Sequence, residues 1–389
     1  MNKPYITLLL LGFVFSCQFQ SQKQGHFPIQ QDPSLRLFRN GKLKNAPILS
    51  EKFSPYSLDS VDFPFIHPRL AASLNEQMEV IDNSRLVYRS YGGQQYTKND
   101  FKETIKILQS YQYGFPSNIE DDLVAYQIWG DDRRGAVKFT AYYTPIINVN
   151  EHANQDYLYP IYRRPKNWVG RLPSRAEIDG AGKLKDQALE IAYATNPVDI
   201  YYMQLQGSGY VQFPSGKMQL LAYDGSNRHP YKSIETFALN RPDFGISSIS
   251  INGIKAFLDR YPQFQDTLLF HNPSYIFFKP KHDLPSGAAG AALQQQISIA
   301  VDKKHIPLGS CLLAAVPIFD DSLDRVLRHD FHILLAQDVG GAIKGPGHID
   351  WYQGVGQKAQ QKAEKIHHYG QLWILMPKRK EGCGVYIKK

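Results

Sequence analysis

The sequence predicts a mainly β protein that begins with a group of helices. Two observations support this fold class: apolar residues recur every three or four positions early in the chain, and later stretches are rich in β-branched and aromatic residues. The chain has 389 residues, of which 43% are hydrophobic. It is therefore long enough for two or three globular domains.

Three helices are predicted near the start of the chain. Residues 68–81 and 101–111 place apolar side chains on one helical face, and Asn99 is the candidate N-terminal cap of the second helix. Apolar residues recur at helical spacing again near residues 119–129. Further helices are predicted later in the chain, at residues 231–239, 251–261 and 357–366.

The remaining apolar stretches predict strands, because they are short and rich in β-branched and aromatic residues. In the middle of the chain the predicted strands are residues 137–149, 199–206, 210–213 and 218–223. A turn at residues 214–217 separates the last two of these. Near the C-terminus the predicted strands are residues 310–319, 331–338 and 371–377.

The N-terminus resembles a bacterial lipoprotein signal. Residues 1–16 hold one lysine followed by about ten apolar residues, which suits a secretory signal but not a membrane span, which needs about 20 residues. Cys17 is the candidate lipidated residue, and the Gln-rich stretch after it predicts a flexible tether over residues 17–50. A plain signal peptide beside a free cysteine is the alternative.

These features predict a protein anchored to the lipid bilayer by acyl chains at its N-terminus. No later stretch of the sequence approaches transmembrane length. Gln18 is not the aspartate that commonly retains lipoproteins in the inner membrane. We therefore expect a protein of the cell envelope, at the periplasmic face of the outer membrane of a Gram-negative bacterium.

Charge and cysteine content exclude several kinds of site. The net charge is +8, but the basic residues are scattered without a compact basic arm, so no nucleic-acid partner is expected. The three cysteines form no CxxC pair and no cluster with zinc spacing, so neither a metal nor another cofactor is expected. Cys311 lies in an apolar run that predicts a buried thiol. A disulfide between Cys311 and Cys383 stays open.

Residues 338–356 are the strongest candidate for a functional site. Asp338 and Asp350 bracket a turn with four glycines and a proline, and Asp302 lies upstream. Glycine lets a backbone turn tightly and approach another group, so we expect the carboxylates of Asp338 and Asp350 within about 10 Å of each other, close enough for paired carboxylates to act on one bond. The alternative is that each aspartate only caps a turn.

Several segments of the chain resemble one known family. The segments AVDKKHIPLG, QDVGGAIKG and HIDWYQG around the three aspartates resemble the three-aspartate domain of bacterial wall-remodelling proteins. The order of segments resembles that of the membrane-bound lytic murein transglycosylases of type A, through FTAYYTP, LPSRAEID, LEIAYATNPVD, MQLQGSGYVQF, NPSYIFFK and HHYGQLWILMP. The resemblance covers residues 139–377.

The resemblance implies a double-psi β-barrel domain with a second, β-barrel-like domain inserted into it. Residues 51–143 and 281–389 would form the discontinuous catalytic domain, with its three-aspartate segment at residues 298–377. The inserted domain would span residues 144–280. The active site would lie in a groove between the two domains, and we expect a monomer.

The resemblance also implies a peptidoglycan lytic exotransglycosylase in which Asp350 acts first as acid and then as base. Such an enzyme cleaves the β-1,4 bond between N-acetylmuramic acid and N-acetylglucosamine and leaves a 1,6-anhydro end. The leaving oxygen needs a proton, and the apolar neighbours of Asp350 predict a raised pKa. Asp338 is the second catalytic candidate, and it would keep the site negative, stabilise developing positive charge or anchor the loop. Action at chain ends or within chains stays open.

Further residues are candidates for binding the glycan strand or supporting the site. The substrate-binding candidates are Thr140, Tyr142, Tyr143, Gln204, Gln206, Ser208, Tyr210, Tyr352 and Gln353. The supporting candidates are Asp302, Gly340, Gly341 and Lys344. For each of them, packing within the fold or exposure in a loop is the alternative.

Two other functions stay open at the level of sequence. An inverting peptidoglycan hydrolase would use Asp338 as the base for water and Asp350 as the acid, with the carboxyl groups about 6.5–9.5 Å apart. A non-catalytic peptidoglycan-binding lipoprotein would keep the aromatic groove beside a carboxylate of ordinary pKa. The sequence contains no nucleotide-binding, zinc-protease or serine-hydrolase motif.

Overall fold

The computed structural model describes residues 46–58, 67–111, 119–246, 249–319 and 326–379. Cys17, Cys383 and the tether up to residue 45 lie outside these residues. Within the described part the protein is mainly β with few helices, which confirms the predicted fold class. None of the helices in this part is long and apolar enough to span a bilayer.

The strands, in chain order, are β1 Phe53–Tyr56, β2 Tyr88–Tyr91, β3 Gln94–Thr97, β4 Leu123–Ile128, β5 Val137–Thr144, β6 Ile146–Asn150, β7 Tyr159–Tyr162, β8 Glu190–Ala194, β9 Gly209–Gln212, β10 Met218–Ser226, β11 Ile276–Lys281, β12 Ser298–Ala300, β13 Cys311–Phe319, β14 Val326–Asp338, β15 His348–Val355 and β16 His368–Pro377. The α-helices are α1 Leu70–Asn83, α2 Lys98–Ser110, α3 Pro197–Gln206, α4 Ile234–Leu239, α5 Ile251–Arg260, α6 Gln265–Leu269 and α7 Gln357–Lys365. Single turns of helix lie at Ile119–Asp121, Ala176–Gly180, Pro242–Phe244 and Pro262–Phe264.

Six strands form a closed barrel. Their order is β16-β13-β14-β12-β15-β5, and a further pairing of β16 with β5 closes the sheet. Two of the pairings are parallel, β12 with β14 and β15 with β5. Strands β4 and β1 extend the sheet beyond β16. Large side chains are almost completely buried on both faces of this sheet, Phe139 on one face and Phe331 and Trp373 on the other.

A second sheet is built from the chain between Ile146 and Lys281. Its order is β11-β10-β9-β6-β8-β7, and β11 lies against β7 at the far edge, so the sheet curls into a barrel-like shape. It has its own core of small and medium apolar side chains, including Val149, Ile161 and Val211. The protein therefore has two β bodies with separate hydrophobic cores.

Helices α1 and α2 pack on each other and on the first barrel. Their apolar faces, with Leu74, Ile81 and Ile105 almost fully buried, belong to the same core as the barrel strands. Helix α2 is capped by Thr97 and Asp100, whose side chains bond reciprocally to each other's backbone N–H. Asn99, the predicted cap, is the second residue of the helix, two positions after the actual cap Thr97, so that assignment is wrong.

The helix predicted near residues 119–129 is wrong. Only Ile119–Asp121 form a helical turn, and the chain continues as strand β4. Nearly every residue of β4 is buried, because the strand lies between β1 and β16 and is covered on both faces. A strand buried on both faces is a continuous apolar run, and a short run of this kind shows no period that separates strand from helix.

The strand predicted at residues 199–206 is also wrong, because this segment is helix α3. The Asn196 side chain accepts a hydrogen bond from the Val198 N–H, and Pro197 occupies the first helical position. Gly207, with φ of 80°, ends the helix. The aromatic and β-branched residues predict a strand, but the cap residues at both ends were the signal that decided the structure.

Candidate active site

Three strands of the barrel bring the two candidate carboxylates together. Ala300 of β12 pairs with Asp338 of β14 on one side and with Asp350 of β15 on the other. Paired residues project from the same face of a sheet, and neighbouring strands lie about 4.8 Å apart, so the two aspartates stand about 10 Å apart at the backbone across β12. This arrangement is compatible with the proximity that the sequence predicts. Both side chains are half-buried.

The alternation along the strands fixes which way the carboxylates point. Thr140, Asp350, Ala300 and Asp338 are neighbours across four strands, and we call them the row. The residues just before three of them, Phe139, Ile349 and Ile299, are completely buried in the barrel core. Because successive side chains of a strand lie on opposite faces, the residues beside them project away from this core. A shift of register by one residue would therefore exchange the carboxylates with core side chains.

Asp350 is held through one of its two oxygens. The Thr140 hydroxyl, which lies opposite on β5, donates to Asp350 Oδ1 at 2.7 Å. Burial raises the pKa of Asp350 to about 6, the Thr140 bond opposes this rise, and the negative charge of Asp338 adds to it. Within the described residues, no hydrogen bond reaches Asp350 Oδ2.

Asp338 is held through both oxygens. Its Oδ1 accepts from the N–H groups of Ala288 and Val339, each at 2.8 Å, and its Oδ2 accepts from the Tyr142 hydroxyl at 3.0 Å. Burial raises the pKa of Asp338, and these three bonds oppose the rise. Two neighbouring carboxylates thus differ sharply: Asp338 is fixed by three donors, and Asp350 by one.

His348 is a residue of the site that the sequence did not reveal. Its Nε2 lies 2.9 Å from the Thr140 hydroxyl oxygen, two residues before Asp350 on β15. Burial, followed by the charges of Lys138 and His367, lowers the pKa of His348 to about 4, so the ring is neutral near pH 7. With the proton on Nε2, the ring donates to Thr140 and directs the hydroxyl proton to Asp350. The alternation in HIDW is the signal that would have found it.

Asp302 anchors the neighbouring loop and does not join the row of carboxylates. Its oxygens accept from the N–H groups of Lys304 and Gly345, at 3.1 and 2.9 Å. Burial raises the pKa of Asp302, but the bonds from Gly345 and Lys304 outweigh that effect and leave the pKa below its ordinary value. Asp302 therefore supports the site by linking the turn after β12 to the glycine loop through these two hydrogen bonds.

The glycine loop, residues 339–347, connects β14 to β15. A Cβ at Gly340 would come within 2.6 Å of Ile343, and Gly345 has φ of 77°, where only glycine fits easily. Gly341 has neither constraint, since a Cβ there would meet open space. Packing around position 341 therefore gives no support to the predicted supporting role of Gly341. Lys344 is exposed on the loop.

Aromatic side chains lie directly behind the carboxylates. The rings of Tyr142 and Tyr352 are 5.1 Å apart and pack with Leu293 and Ala300. The Tyr352 hydroxyl bonds to the Thr144 hydroxyl at 2.8 Å. Both tyrosines are almost completely buried, so they hold the site together from behind. Their predicted role as sugar contacts does not fit this burial.

Three other predicted sugar contacts are buried away from the groove. Tyr143 belongs to the apolar cluster beneath α3 and α5. The Gln204 side chain accepts a hydrogen bond from Arg175 at 2.5 Å inside the second β body. Gln353 is 2% exposed, and its amide donates to the Trp351 carbonyl. The polar and aromatic groups of these residues serve contacts inside the protein. Residue type alone does not distinguish this role from sugar binding.

The last three candidates are partly exposed, although the Gln206 side-chain oxygen already accepts a hydrogen bond from the Tyr143 N–H at 3.1 Å. Gln206, Ser208 and Tyr210 are half-buried, and Tyr210 lines a hollow of about 570 Å³. The opposite side of this hollow is formed by residues 281–292, whose Ala288 N–H also bonds to Asp338. We call this hollow the groove. It connects the second β body to the loop that holds one of the carboxylates.

Comparison with known proteins follows the same division of the chain. Residues 138–279 match the family described as the MltA specific insert domain, and residues 297–376 match the 3D domain. The chain is 36% identical over 325 residues to membrane-bound lytic murein transglycosylase A of Escherichia coli K12, covering 82% of this chain and 86% of that protein. It is 35% identical over 273 residues to the protein of that name from Vibrio cholerae, covering 69% and 73% of the two chains.

Solved structures resemble the protein over nearly its whole described length. The crystal structure of E. coli MltA with bound chitohexaose has a TM-score of 0.73 and 32% identity, covering 87% of this chain and 98% of that one. A membrane-bound lytic murein transglycosylase from Agrobacterium tumefaciens, with a TM-score of 0.68 and 24% identity over 84% of this chain and 98% of that one, shares the fold.

Proposed function

This chain belongs to the membrane-bound lytic murein transglycosylase A family, and from that premise we propose that it cleaves peptidoglycan with Asp350 as its single acid and base. It is a lytic murein transglycosylase, an enzyme that cuts the β-1,4 bond between N-acetylmuramic acid and N-acetylglucosamine. The proposal for the residues rests on one observation: Asp350 has a raised pKa and one oxygen that nothing in the described structure occupies.

The pKa of Asp350 suits a group that must give up and then recover a proton. With a pKa of about 6, about a tenth of the sites carry the proton at pH 7, and the conjugate base is strong enough to accept one. Thr140 donates to Oδ1 in both protonation states, because that oxygen always has a free lone pair. The transferable proton is therefore carried by Oδ2, which no hydrogen bond from a described residue engages.

The reaction needs no water and no protein nucleophile. Asp350 donates its proton to the glycosidic oxygen, the bond from that oxygen to the muramic acid C1 breaks, and N-acetylglucosamine leaves with a free 4-hydroxyl. The muramic acid 6-hydroxyl then attacks C1 and passes its proton to the Asp350 carboxylate. The product carries a 1,6-anhydro ring, and the enzyme returns to its starting state.

Asp338 supplies negative charge to this reaction without transferring a proton. The transition state resembles an oxocarbenium ion, which a fixed carboxylate nearby stabilises. Three donors already engage the Asp338 oxygens, which makes it a poor base for water. This bonding supports the transglycosylase over the inverting hydrolase.

We assign binding of the glycan strand to the groove, with Tyr210 on one wall and the partly exposed Gln206 and Ser208 just before it in the chain. The half-exposed Tyr210 ring offers an apolar face and a hydroxyl, which together suit a sugar ring. The E. coli relative whose structure contains chitohexaose supports a glycan as the ligand. The relatives named membrane-bound support a place in the cell envelope.

The test is digestion of purified sacculi, with mass spectrometry of the released muropeptides. A transglycosylase releases 1,6-anhydro ends and no new reducing ends. Reducing ends would instead identify a hydrolase, and binding without release would identify a non-catalytic wall-binding protein.

A further inference from the structure

A second hollow, of about 370 Å³, lies on the second β body. Its lining consists of the end of β10, Tyr223–Ser226, together with Arg164, Arg228 and Lys279. The fourth charged residue is Asp224, whose carboxylate lies 3.6 Å from the Lys279 ammonium. Three cations therefore face a single carboxylate, and the hollow has an excess of positive charge.

Two of the cations have no acceptor in the described structure. The Arg164 and Arg228 guanidinium groups form no hydrogen bond, ion pair or ring contact with another described residue. Arg164 is half-buried, so its charge is partly removed from water without compensation. A guanidinium presents a planar fork of donors that matches a carboxylate or a phosphate.

The backbone around these arginines is held rigidly. Gly225 has φ of 123°, which favours glycine, and a Cβ there would lie 2.9–3.2 Å from three atoms of the Arg164 side chain, so the two residues are closely packed. Arg228 has φ of 60°, a conformation that costs a non-glycine residue free energy. Buried Asn227 holds this turn in place, since its amide donates to the carbonyls of Pro173 and Pro273. The backbone that carries the arginines is thus fixed by the fold, while the Arg228 side chain is exposed.

From these observations we propose that the second hollow binds a carboxylate of the peptide stem that peptidoglycan carries. The inference rests on the proposed function and extends it from the sugar to the peptide. The groove and the second hollow share the β10–β11 pair, where Leu220 faces Lys281 at one end and Gly225 faces Phe277 at the other. Five strand residues span about 17 Å, and an extended peptide of about five residues covers the same distance.

The stem carboxylate lies between the two guanidinium groups and displaces water from both. Muramic acid carries the stem, so a strand whose sugars occupy the groove brings its peptides to this side of the enzyme. The hollow therefore favours glycan strands that still carry peptides over strands from which the peptides have been removed. It contributes to binding and not to the chemical step.

The test compares the full-length enzyme, the double variant Arg164→Gln/Arg228→Gln and the matched control Lys166→Gln/Arg171→Gln. The control removes the same charge from exposed positions of the same β body that do not line the hollow. Each protein acts on intact sacculi and on peptide-free glycan strands prepared by amidase digestion, and anhydro ends are counted. Loss of two charge-assisted bonds predicts a kcat/KM about tenfold lower for the double variant on intact sacculi.

The expected result is a loss confined to peptide-bearing substrate and to the double variant. Equal rates for all three proteins on intact sacculi would overturn the proposal, as would an equal loss on both substrates. Binding of wild type to anionic phospholipid vesicles that the double variant loses would assign the hollow to lipid phosphate and would also overturn it. If the wild-type enzyme released no anhydro product from both substrates, that result would contradict the proposed function instead.

Discussion

Asp338 and Asp350 are the same residue type on the same face of one barrel, yet their surroundings give them different chemistry. Three donors fix Asp338, including two backbone N–H groups. One hydroxyl engages Asp350, and burial dominates its pKa. Proton transfer needs a carboxyl oxygen that substrate can reach, and charge stabilisation needs a carboxylate that cannot move.

We expect Asp350→Asn to abolish release of anhydro muropeptides, with a rate at least about a thousandfold lower, because an amide cannot donate and accept a proton in turn. Binding to sacculi should survive, since the Asn carbonyl still accepts from Thr140. Asp338→Asn should keep partial activity, because its carbonyl can face the two backbone N–H groups while its amide faces Tyr142. Muropeptide analysis measures both, and equal, complete loss in the two variants would favour a two-carboxylate hydrolase.

Asp350→Asn should also stabilise the fold above about pH 6. The folded carboxyl has a pKa raised from 3.8 to about 6, so folding binds a proton between these values, and stability is lost as the pH rises through 6. Two units at 1.36 kcal/mol each set an upper limit of about 3 kcal/mol, and partial exposure reduces this to about 1–2 kcal/mol.

Chemical denaturation at pH 4 and pH 7.5 measures this difference, which should vanish at the lower pH. Asp302→Asn is the matched control, because its effect on stability at neutral pH should have the opposite sign. Its pKa is lowered in the fold, so its stabilisation is present at neutral pH and is lost as the pH falls through the folded pKa. A gain in stability for both variants at pH 7.5 would contradict the assigned pKa directions.

Thr140→Val should shift the pH dependence of the reaction. The Thr140 bond lowers the pKa of Asp350, so its removal raises that pKa further above 6. The first step requires the protonated acid, and the high-pH limb of kcat/KM should therefore move up by about one unit. Thr140→Ser keeps the hydroxyl and is the control. A profile that moves down, or moves equally in both variants, would rule out this role for the hydroxyl.

At the scale of elements, the glycine loop sets the distance between the two catalytic strands. A Cβ at Gly347 would lie 2.5–2.8 Å from Asp131 and from the backbone of Gly130, whereas a Cβ at Gly341 would meet nothing within 4 Å. Packing against backbone therefore requires glycine at position 347, whereas nothing in the packing requires it at position 341. A glycine-rich sequence does not reveal which is which.

We expect Gly347→Ala to lower the free energy of unfolding by about 2 kcal/mol or more, because overpacking against backbone cannot relax by rotating a side chain. Gly341→Ala should change it by less than about 0.5 kcal/mol. Thermal or urea unfolding of the two variants provides the comparison. Similar stability of both would mean that the loop moves away from Gly130 and Asp131 at little cost.

At the scale of the molecule, the barrel joins segments that are far apart in the chain. Strand β5 precedes the second β body, and β15 follows it, yet the two strands pair directly. The Thr140–Asp350 bond spans 210 positions and the Tyr142–Asp338 bond spans 196. The row of candidate site residues therefore forms only when both parts of the first barrel are assembled, and the second β body supplies one wall of the groove.

The anchor belongs to the same scale, although Cys17 lies outside the described residues. We expect Cys17→Ser to leave an active enzyme in the soluble periplasmic fraction, because an acyl chain contributes about 0.8 kcal/mol per buried methylene to membrane attachment. Fractionation and sacculus digestion measure the two properties. A variant that still sediments with membranes after a high-salt wash would show that the attachment lies elsewhere.

The sequence by itself determined the local features of this protein. The alternation in HIDWYQ directs Asp350 away from the core, its apolar neighbours foretell a raised pKa, and the glycine turn joins it to Asp338. The segments that resemble the family predicted the barrel fold and the activity. These features depend on residues close together in the chain or on motifs that keep their order.

Only the tertiary structure decided which partners the site residues have. The roles of Thr140, Tyr142 and His348 depend on the register between strands far apart in sequence, and a shift of one residue would replace each of them. Gln204 and Gln353 look equally suited to a sugar, but burial turns them inward. Strand β4 and helix α3 show the same limit, because contacts on both faces and caps at both ends outweighed local residue preference. Pairing and burial are properties of the assembled barrel, and for that reason no single segment contains them.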